Sequence, residues 1–245
     1  MSDERLANII MILVEPQSGD NVGAAVRALR NMGLSRLRLV RPAAFDWRRL
    51  PVAAHRSEEL VAGIEVYDDL AAAVADAVYV VGATARSRGA LRPTLTPRQA
   101  GPAAIERAAA GAVAFLFGRE DFGLPNTALD LCHALLTIPT APDYPSLNLA
   151  QAVLLVAYEL RMAAADAAPG QDVGQPAPAS GRETDAMFEA LAEAMRVSDF
   201  LIPARADATL RAFRALLLRA EPTAEEAARV TALARAIARA AAKGE

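Results

Sequence analysis

The sequence predicts an α/β protein: a parallel sheet flanked by helices, followed by a small all-helical C-terminal extension. Three observations carry this. Apolar runs of strand length recur through the first two-thirds of the chain, apolar at consecutive rather than alternate positions, as in strands covered on both faces. Helical stretches separate those runs, the alternation that builds βαβ units. After Ala163 the runs stop, and a Pro- and Gly-rich segment leads into three Ala-rich helical stretches.

The first run, Ile9-Ile10-Met11-Ile12-Leu13-Val14, is rich in β-branched residues, which fit a pleated surface. Residues 24–32 read as a helix stopped by Gly33, a C′ glycine that takes the left-handed conformation without a Cβ clash. Leu37-Arg38-Leu39-Val40 is the next strand, ended by Pro42. Residues 78–81, 113–117 and 135–138 follow as buried strands, with 65–67 as a short edge strand. Residues 169–181, PGQDVGQPAPASG, hold three prolines and three glycines and read as a flexible linker. Beyond them, 183–196, 204–219 and 224–242 read as helices. The last opens with Pro222-Thr223 and first-turn acids Glu225 and Glu226. The expected organisation is a main domain over 1–167, a linker over 168–182 and a helical extension over 183–245. Three Ala-rich helices make a thin core, so the extension is expected to pack on the main domain or on a partner subunit.

The 245 residues carry 26 Lys and Arg against 29 Asp and Glu, a net charge of -3. That balance gives no global pull toward nucleic acid or anionic membrane, so a nucleic-acid site must be a local patch. Cys132 is the only cysteine, and the histidines are His55 and His133. An intrachain disulfide and a zinc cluster of cysteines are therefore excluded, no metal is expected, and a reducing cytoplasm is the simplest location. The N-terminal apolar run is too short, and too soon interrupted by Glu15, for a signal peptide or a spanning helix. No G-x-G-x-x-G follows a strand, no G-x-S-x-G elbow occurs, and the sole lysine, Lys243, cannot serve a Walker loop.

Three loops at predicted strand ends carry the chemistry, because ligands in open α/β sheets gather outside the carboxyl ends of the strands. The first, residues 15–23, holds Asn21 and Gly23, which suit a tight helix entry, and leads to Arg27 and Arg30. Arg27 lies one turn after Gly23, so it can face the same cleft as the loop; Arg30 is on a neighbouring face. The second, Phe117-Gly118-Arg119-Glu120-Asp121-Phe122-Gly123-Leu124-Pro125-Asn126, places two charges at the sheet edge. Gly118 there would permit close approach of backbone to a ligand, and Asn126 or Thr127 would cap the next helix. The third is Pro142-Asp143-Tyr144-Pro145-Ser146-Leu147-Asn148, where Ser146 or Asn148 caps the following helix. A cap alone does not account for two prolines and a tyrosine. A fourth element, Gly82-Ala83-Thr84-Ala85-Arg86-Ser87-Arg88, adds backbone groups, a hydroxyl and two arginines. Read singly, the first loop is more simply a capped helix with solvated arginines.

In order, N-x-G-A-x-x-R-A, F-x-F-G-R-E-x-x-G-L and I-P-x-x-P-x-Y-x-S-L-N-L-A-x-A closely resemble the three motifs of the SPOUT-class RNA 2′-O-ribose methyltransferases. The resemblance spans about residues 9–162. Within that class, the A-R-S-R and Y-x-S-L-N-L-A versions are most similar to the bacterial enzymes that methylate cytidine or uridine 32 of the tRNA anticodon loop.

The resemblance implies a SPOUT-type sheet with a C-terminal trefoil knot, a homodimer, S-adenosylmethionine as methyl donor and tRNA as substrate. Donor contacts carry over to Ala83, Thr84, Ala85, Gly118, Ile138, Pro145, Ser146 and Leu147. Small side chains and main-chain amides there suit a flat adenine with few polar edges. Pro145 replaces a more usual serine, so its contact should come from the backbone. Arg27 matches the catalytic arginine, and Asn21, Glu120, Ser146 and Asn148 match positions near the reaction centre. Arg30, Arg86, Arg88 and Arg119 are the candidates for RNA phosphate. A guanidinium stays protonated to a pKa above about 12, so Arg27 is better read as a phosphate anchor that lowers the hydroxyl's pKa than as the base. Other readings are a 2′-O-methyltransferase of another tRNA position or of rRNA, an RNA-binding module without catalysis, and a flavodoxin-like small-molecule protein. Intact Arg27, Glu120, Ser146 and Asn148 argue against loss of catalysis, and the missing phosphate loop argues against the last.

Overall fold

The computed structural model describes residues 2–44, 50, 57–85, 92–167 and 176–242. Seven parallel strands form one sheet: β1 (Ile9–Val14), β2 (Arg36–Val40), β3 (Glu65–Tyr67), β4 (Ala77–Ala83), β5 (Thr94–Leu95), β6 (Ala112–Phe117) and β7 (Ala134–Leu136), in the order β3-β2-β1-β6-β4-β7-β5. Helices α1 (Ser2–Ala7), α2 (Gly19–Met32), α3 (Glu58–Ala62), α4 (Leu70–Ala73), α5 (Pro97–Arg107), α6 (Asn126–Leu129) and α7 (Leu149–Asp166) connect them.

The unbroken apolar run of β1 has a direct cause. β1 pairs with β2 on one side and β6 on the other, so Ile12 lies between Arg38 and Leu116. Side chains alternate across the sheet. Ile9, Met11 and Leu13 therefore enter the larger core with Val26 and Leu29 of α2, Ile105 of α5 and Val153 and Leu160 of α7. Ile10, Ile12 and Val14 enter the opposite core with Leu70, Val74, Leu129 and Cys132. Both faces are covered, so neither set is polar.

Helix α2 starts at Gly19, five residues before the expected 24. Ser18, with extended backbone (φ -118, ψ 123), caps it by accepting the Asn21 N–H, so Asn21 lies inside the first turn. Gly19 and Gly23, poor helix formers, hide that start in the sequence. The end falls as expected: Gly33 takes φ 76, and its N–H reaches the carbonyls of Arg30 and Leu29. Asn126 does not cap α6; Pro125 precedes the helix without a side-chain cap. The last buried strand, β7, stops at Leu136, two residues short of expectation. Two elements carry little apolar signal: the two-residue edge strand β5, and α5, which a Thr96–Gln99 capping box opens.

Three helices follow: α8 (Gly181–Val197), α9 (Ala206–Ala220, after a 3-10 turn at Pro203–Arg205) and α10 (Ala224–Ala241). Capping boxes Ser180–Glu183 and Thr223–Glu226 start α8 and α10. Residues 177–179 run beside 222–224, with Ala179 N–H to Pro222 O at 2.9 Å and Ala224 N–H to Ala177 O at 2.9 Å. The start of α8 abuts the main sheet domain: Arg182 N–H donates to Ala75 O at 3.0 Å, and a Cβ on Gly181 would lie 2.5 Å from Val74 O. Arg107 of α5 clasps Glu221 through two bonds of 2.6 Å, its guanidinium 4.3 Å from the centroid of the Tyr79 ring. Among the described residues no helix is long and apolar enough to cross a membrane.

Candidate functional site

The loops after β4 and β6 and the long segment that leads from β7 to α7 meet at the carboxyl end of the sheet around an open cleft. Ala83, Thr84 and Ala85 line it from β4, Gly118 to Leu124 from β6, Ile138 from β7, and Pro145, Ser146 and Leu147 from the segment before α7. All eight residues that the SPOUT resemblance assigns to the methyl donor are thus brought to one place. Small residues (Ala83, Ala85, Gly118) and apolar ones (Leu136, Ile138) share the lining with the charged Arg119, Glu120 and Asp121. The N–H groups of Ser146 and Leu147 have no partner among the described residues. Thr84 contributes less: its N–H bonds Leu136 O at 2.8 Å and its carbonyl accepts the Thr137 hydroxyl at 3.1 Å.

Gly118 is required for a different reason than the sequence indicates. A Cβ there would sit 2.1 Å from Gly123 C and 2.2 Å from Leu124 N. The close approach is made by the chain itself, as residues 119–123 turn back through an antiparallel Arg119–Gly123 bridge closed by Gly123 at φ 73.

Glu120, Asn21 and Asn148 form one relay. The Glu120 carboxylate accepts the N–H groups of Gln17 (3.0 Å) and Ser18 (3.2 Å) and the side-chain amide of Asn21 (2.9 Å). Asn21 Oδ1 accepts from Asn148 Nδ2 at 2.9 Å, and Asn148 Oδ1 caps α7 by accepting Ala150 N–H (2.9 Å) and Gln151 N–H (3.3 Å). Chemistry sets both amide orientations. A carboxylate only accepts, so Asn21 must turn its NH₂ to Glu120, and a cap must turn its oxygen to the helix. Of the two cap candidates, Asn148 serves, and the Ser146 hydroxyl is left exposed on the cleft wall.

The arginines divide. Arg27 and Arg30 are exposed on α2, without an ion pair among the described residues, and neither lines the cleft. Arg119 lines it but is engaged, 2.9 Å from Asp121 and 3.7 Å from Glu15. The Asp121 carboxylate, with Glu15 adding to it, raises the Arg119 pKa further above the ordinary guanidinium value. Glu15 also holds Arg41 at 2.9 Å. Arg86 and Arg88 lie outside the described residues. Sequence reasoning missed the acids around Arg119; the one available sign was Asp121 two residues after it.

Among the described residues no cluster of His, Cys, Asp and Glu could hold a metal. His133 is buried beneath β4, with Nδ1 accepting the Val80 N–H at 3.1 Å, and burial pushes its pKa down to about 4. Burial likewise pushes the Cys132 thiol up to about 12. Neither lines the cleft.

The profile of the SpoU rRNA Methylase family matches residues 8–158. A tRNA (cytidine/uridine-2′-O-)-methyltransferase TrmJ of Pectobacterium atrosepticum is 35% identical over 224 residues, covering 90% of this chain and 92% of that protein. The crystal structure of TrmJ from Z. mobilis ZM4 superposes with a TM-score of 0.81 at 35% identity, covering 93% of this chain and 98% of that one. A probable methylase family protein from Haemophilus influenzae Rd KW20 gives a TM-score of 0.62 at 30% identity over 98% of this chain and all of that one (100%).

Proposed function

The chain belongs to the SpoU rRNA Methylase family, and from that premise we propose that it transfers a methyl group from S-adenosylmethionine to the 2′-hydroxyl of a tRNA ribose, at cytidine or uridine 32 of the anticodon loop. One observation carries the reading: three motif loops, far apart in sequence, line or border one cleft and are tied together through Glu120, Asn21 and Asn148. The TrmJ likeness over nine-tenths of the chain supports the substrate.

The cleft fits the donor chemically. Ala83 and Ala85 leave room for a flat base, and the unpartnered N–H groups of Ser146 and Leu147 match its polar edge. S-Adenosylmethionine supplies an activated methyl on a sulfonium. The protein's tasks are then to align the hydroxyl and ease loss of its proton, and alignment alone is worth up to about 7–11 kcal/mol. A guanidinium is a cation and hydrogen-bond donor rather than a base, so the part of Arg27 is to hold the phosphate beside the target ribose and stabilise the developing alkoxide. Asn21, Glu120 and Asn148 set the distance between the first turn of α2 and the cleft wall.

Residues 1–167 form the methyltransferase domain, knotted as in its class, with 183–245 as a helical extension. A homodimer is supported by Leu154, Leu155, Tyr158 and Met162, an apolar stripe exposed along α7. The enzyme works in the cytoplasm, where tRNA is matured.

The test is methyl transfer from labelled S-adenosylmethionine to unmodified tRNA transcripts, mapped by ribose-methyl-sensitive cleavage, with Arg27→Ala alongside. A signal at position 32 that the variant loses is the expected result. Transfer at another position would move the substrate, and no donor binding would overturn the reading.

A further inference from the structure

Tyr144 is 78% exposed, the most exposed large apolar or aromatic side chain among the described residues. It has no hydrogen bond through its hydroxyl and no ring partner there. A tyrosine left so open forgoes the burial that makes the side chain useful in a core. Its backbone, by contrast, is constrained. Pro145 fixes its own φ and restricts the residue before it to extended conformations, and Tyr144 N–H closes a turn onto Ala141 O at 3.0 Å. The ring is therefore presented from a stiff support, and the next three residues are wall of the cleft.

A second ring, Phe122, is 57% exposed on the β6 loop that lines the same cleft, in the turn closed by the Arg119–Gly123 bridge. Exposed rings, one on the cleft lining and one on the stiff segment that leads into the cleft wall, match one chemistry well: the face of an unstacked nucleobase. Single-stranded RNA loops are recognised by splaying bases onto aromatic side chains, and stacking requires only a π-face. The exposed cations Arg27 and Arg30 lie on α2, whose first turn is joined to the same segment through Asn21 and Asn148, and they complement the accompanying phosphates.

We propose that Tyr144 is a stacking platform for the base of the reacting nucleotide, with Phe122 as a second ring at the same mouth. This rests on the RNA 2′-O-methyltransferase reading of the cleft. Such a platform would let one site take either cytidine or uridine, since stacking does not read the exocyclic group that separates them.

The experiment uses the full chain and an anticodon stem-loop RNA carrying a fluorescent cytidine analogue at the target position. Base fluorescence, methyl transfer, calorimetric donor binding and sedimentation are compared for wild type, Tyr144→Ala and Tyr144→Phe. Tyr144→Ala is expected to abolish most of the quenching and raise KM for RNA about 10-fold, with donor affinity unchanged. Tyr144→Phe, which keeps the ring, should restore the quenching. Full quenching with Tyr144→Ala would overturn the proposal. So would loss of donor affinity, which would put the ring in the donor pocket, or a shift in sedimentation, which would make it a subunit contact. If wild type neither binds donor nor transfers methyl, the methyltransferase reading fails, while the quenching titration still decides the role of Tyr144.

Discussion

The side-chain amide of Asn148 donates to Oδ1 of Asn21 at 2.9 Å, joining the N-termini of two helices across 127 residues of sequence. Each asparagine has a second duty that dictates which end it offers the other. Asn148 must give its oxygen to α7, and Asn21 must give its NH₂ to Glu120. The link is thus directional, and it can be broken without removing the cap.

Asn148→Asp does that. Aspartate caps as well as asparagine and its charge suits a helix N-terminus, but it turns a second acceptor toward Asn21 Oδ1. Thermal denaturation should move by less than about 2 °C, while methyl transfer falls by at least about 10-fold. Asn148→Ala, lacking the cap as well, should cost about 1 kcal/mol of stability. Undiminished transfer by Asn148→Asp would separate this link from the reaction.

Glu120→Gln offers one oxygen to three donors and directs an NH₂ at N–H groups. Denaturant unfolding should report a loss of about 1 kcal/mol, modest because the carboxylate is exposed. In a double-mutant cycle, Glu120→Ala and Asn21→Ala should couple by about 0.5 kcal/mol or more, and strict additivity would mean that the bond carries nothing.

Gly118→Ala places a carbon within 2.4 Å of three backbone atoms of Gly123 and Leu124, where no rotamer change can help. The return turn must open. Donor binding, followed by calorimetry, should be lost even if the core still folds, because the same turn lines the cleft.

His133 gives a pH dependence. Its folded pKa of about 4 lies below the ordinary 6.5, so the unfolded chain takes up this proton first as the pH falls. The stability that neutral His133 supports is complete above pH 6.5 and declines between 6.5 and 4, by at most about 3 kcal/mol. Burial is the main cause. Arg107, Arg92 and Arg214 reinforce it, and Glu221 opposes it. Protonation would also turn a proton on Nδ1 against the Val80 N–H. Melting temperature against pH should be flatter over that window for His133→Gln than for wild type.

Much of this arrangement is legible in the sequence, for identifiable reasons. A strand buried on both faces must be apolar throughout, so β1, β6 and β7 announce themselves. Motif residues stand at strand ends, so their convergence follows from the sheet. The start of α2 was obscured because two glycines sit where helix formers are expected, and the cap at Ser18 outweighs them. Gly118 reads as room for a ligand, yet what fills that room is chain five residues later, a contact with no periodic signature. The same holds for Arg119, whose partner Glu15 is remote in sequence and adjacent only because β1 and β6 pair.

The joint between the sheet and the last three helices restricts how such chains can be recombined. Glu221, itself at φ 47, meets Arg107; Gly181 meets the Val74 carbonyl; and Arg182 meets Ala75. Every one of these pairs joins the sheet domain to a residue at or beyond the end of the Pro- and Gly-rich segment. A chimera made by cutting there and grafting the tail of a homologue would inherit half of each fit. A larger residue at 181 would strike backbone, and a tail without an acid at 221 would leave Arg107 over Tyr79 with its charge unmatched. Exchange between relatives should therefore succeed only when residues 74, 107, 181 and 221 travel as a set.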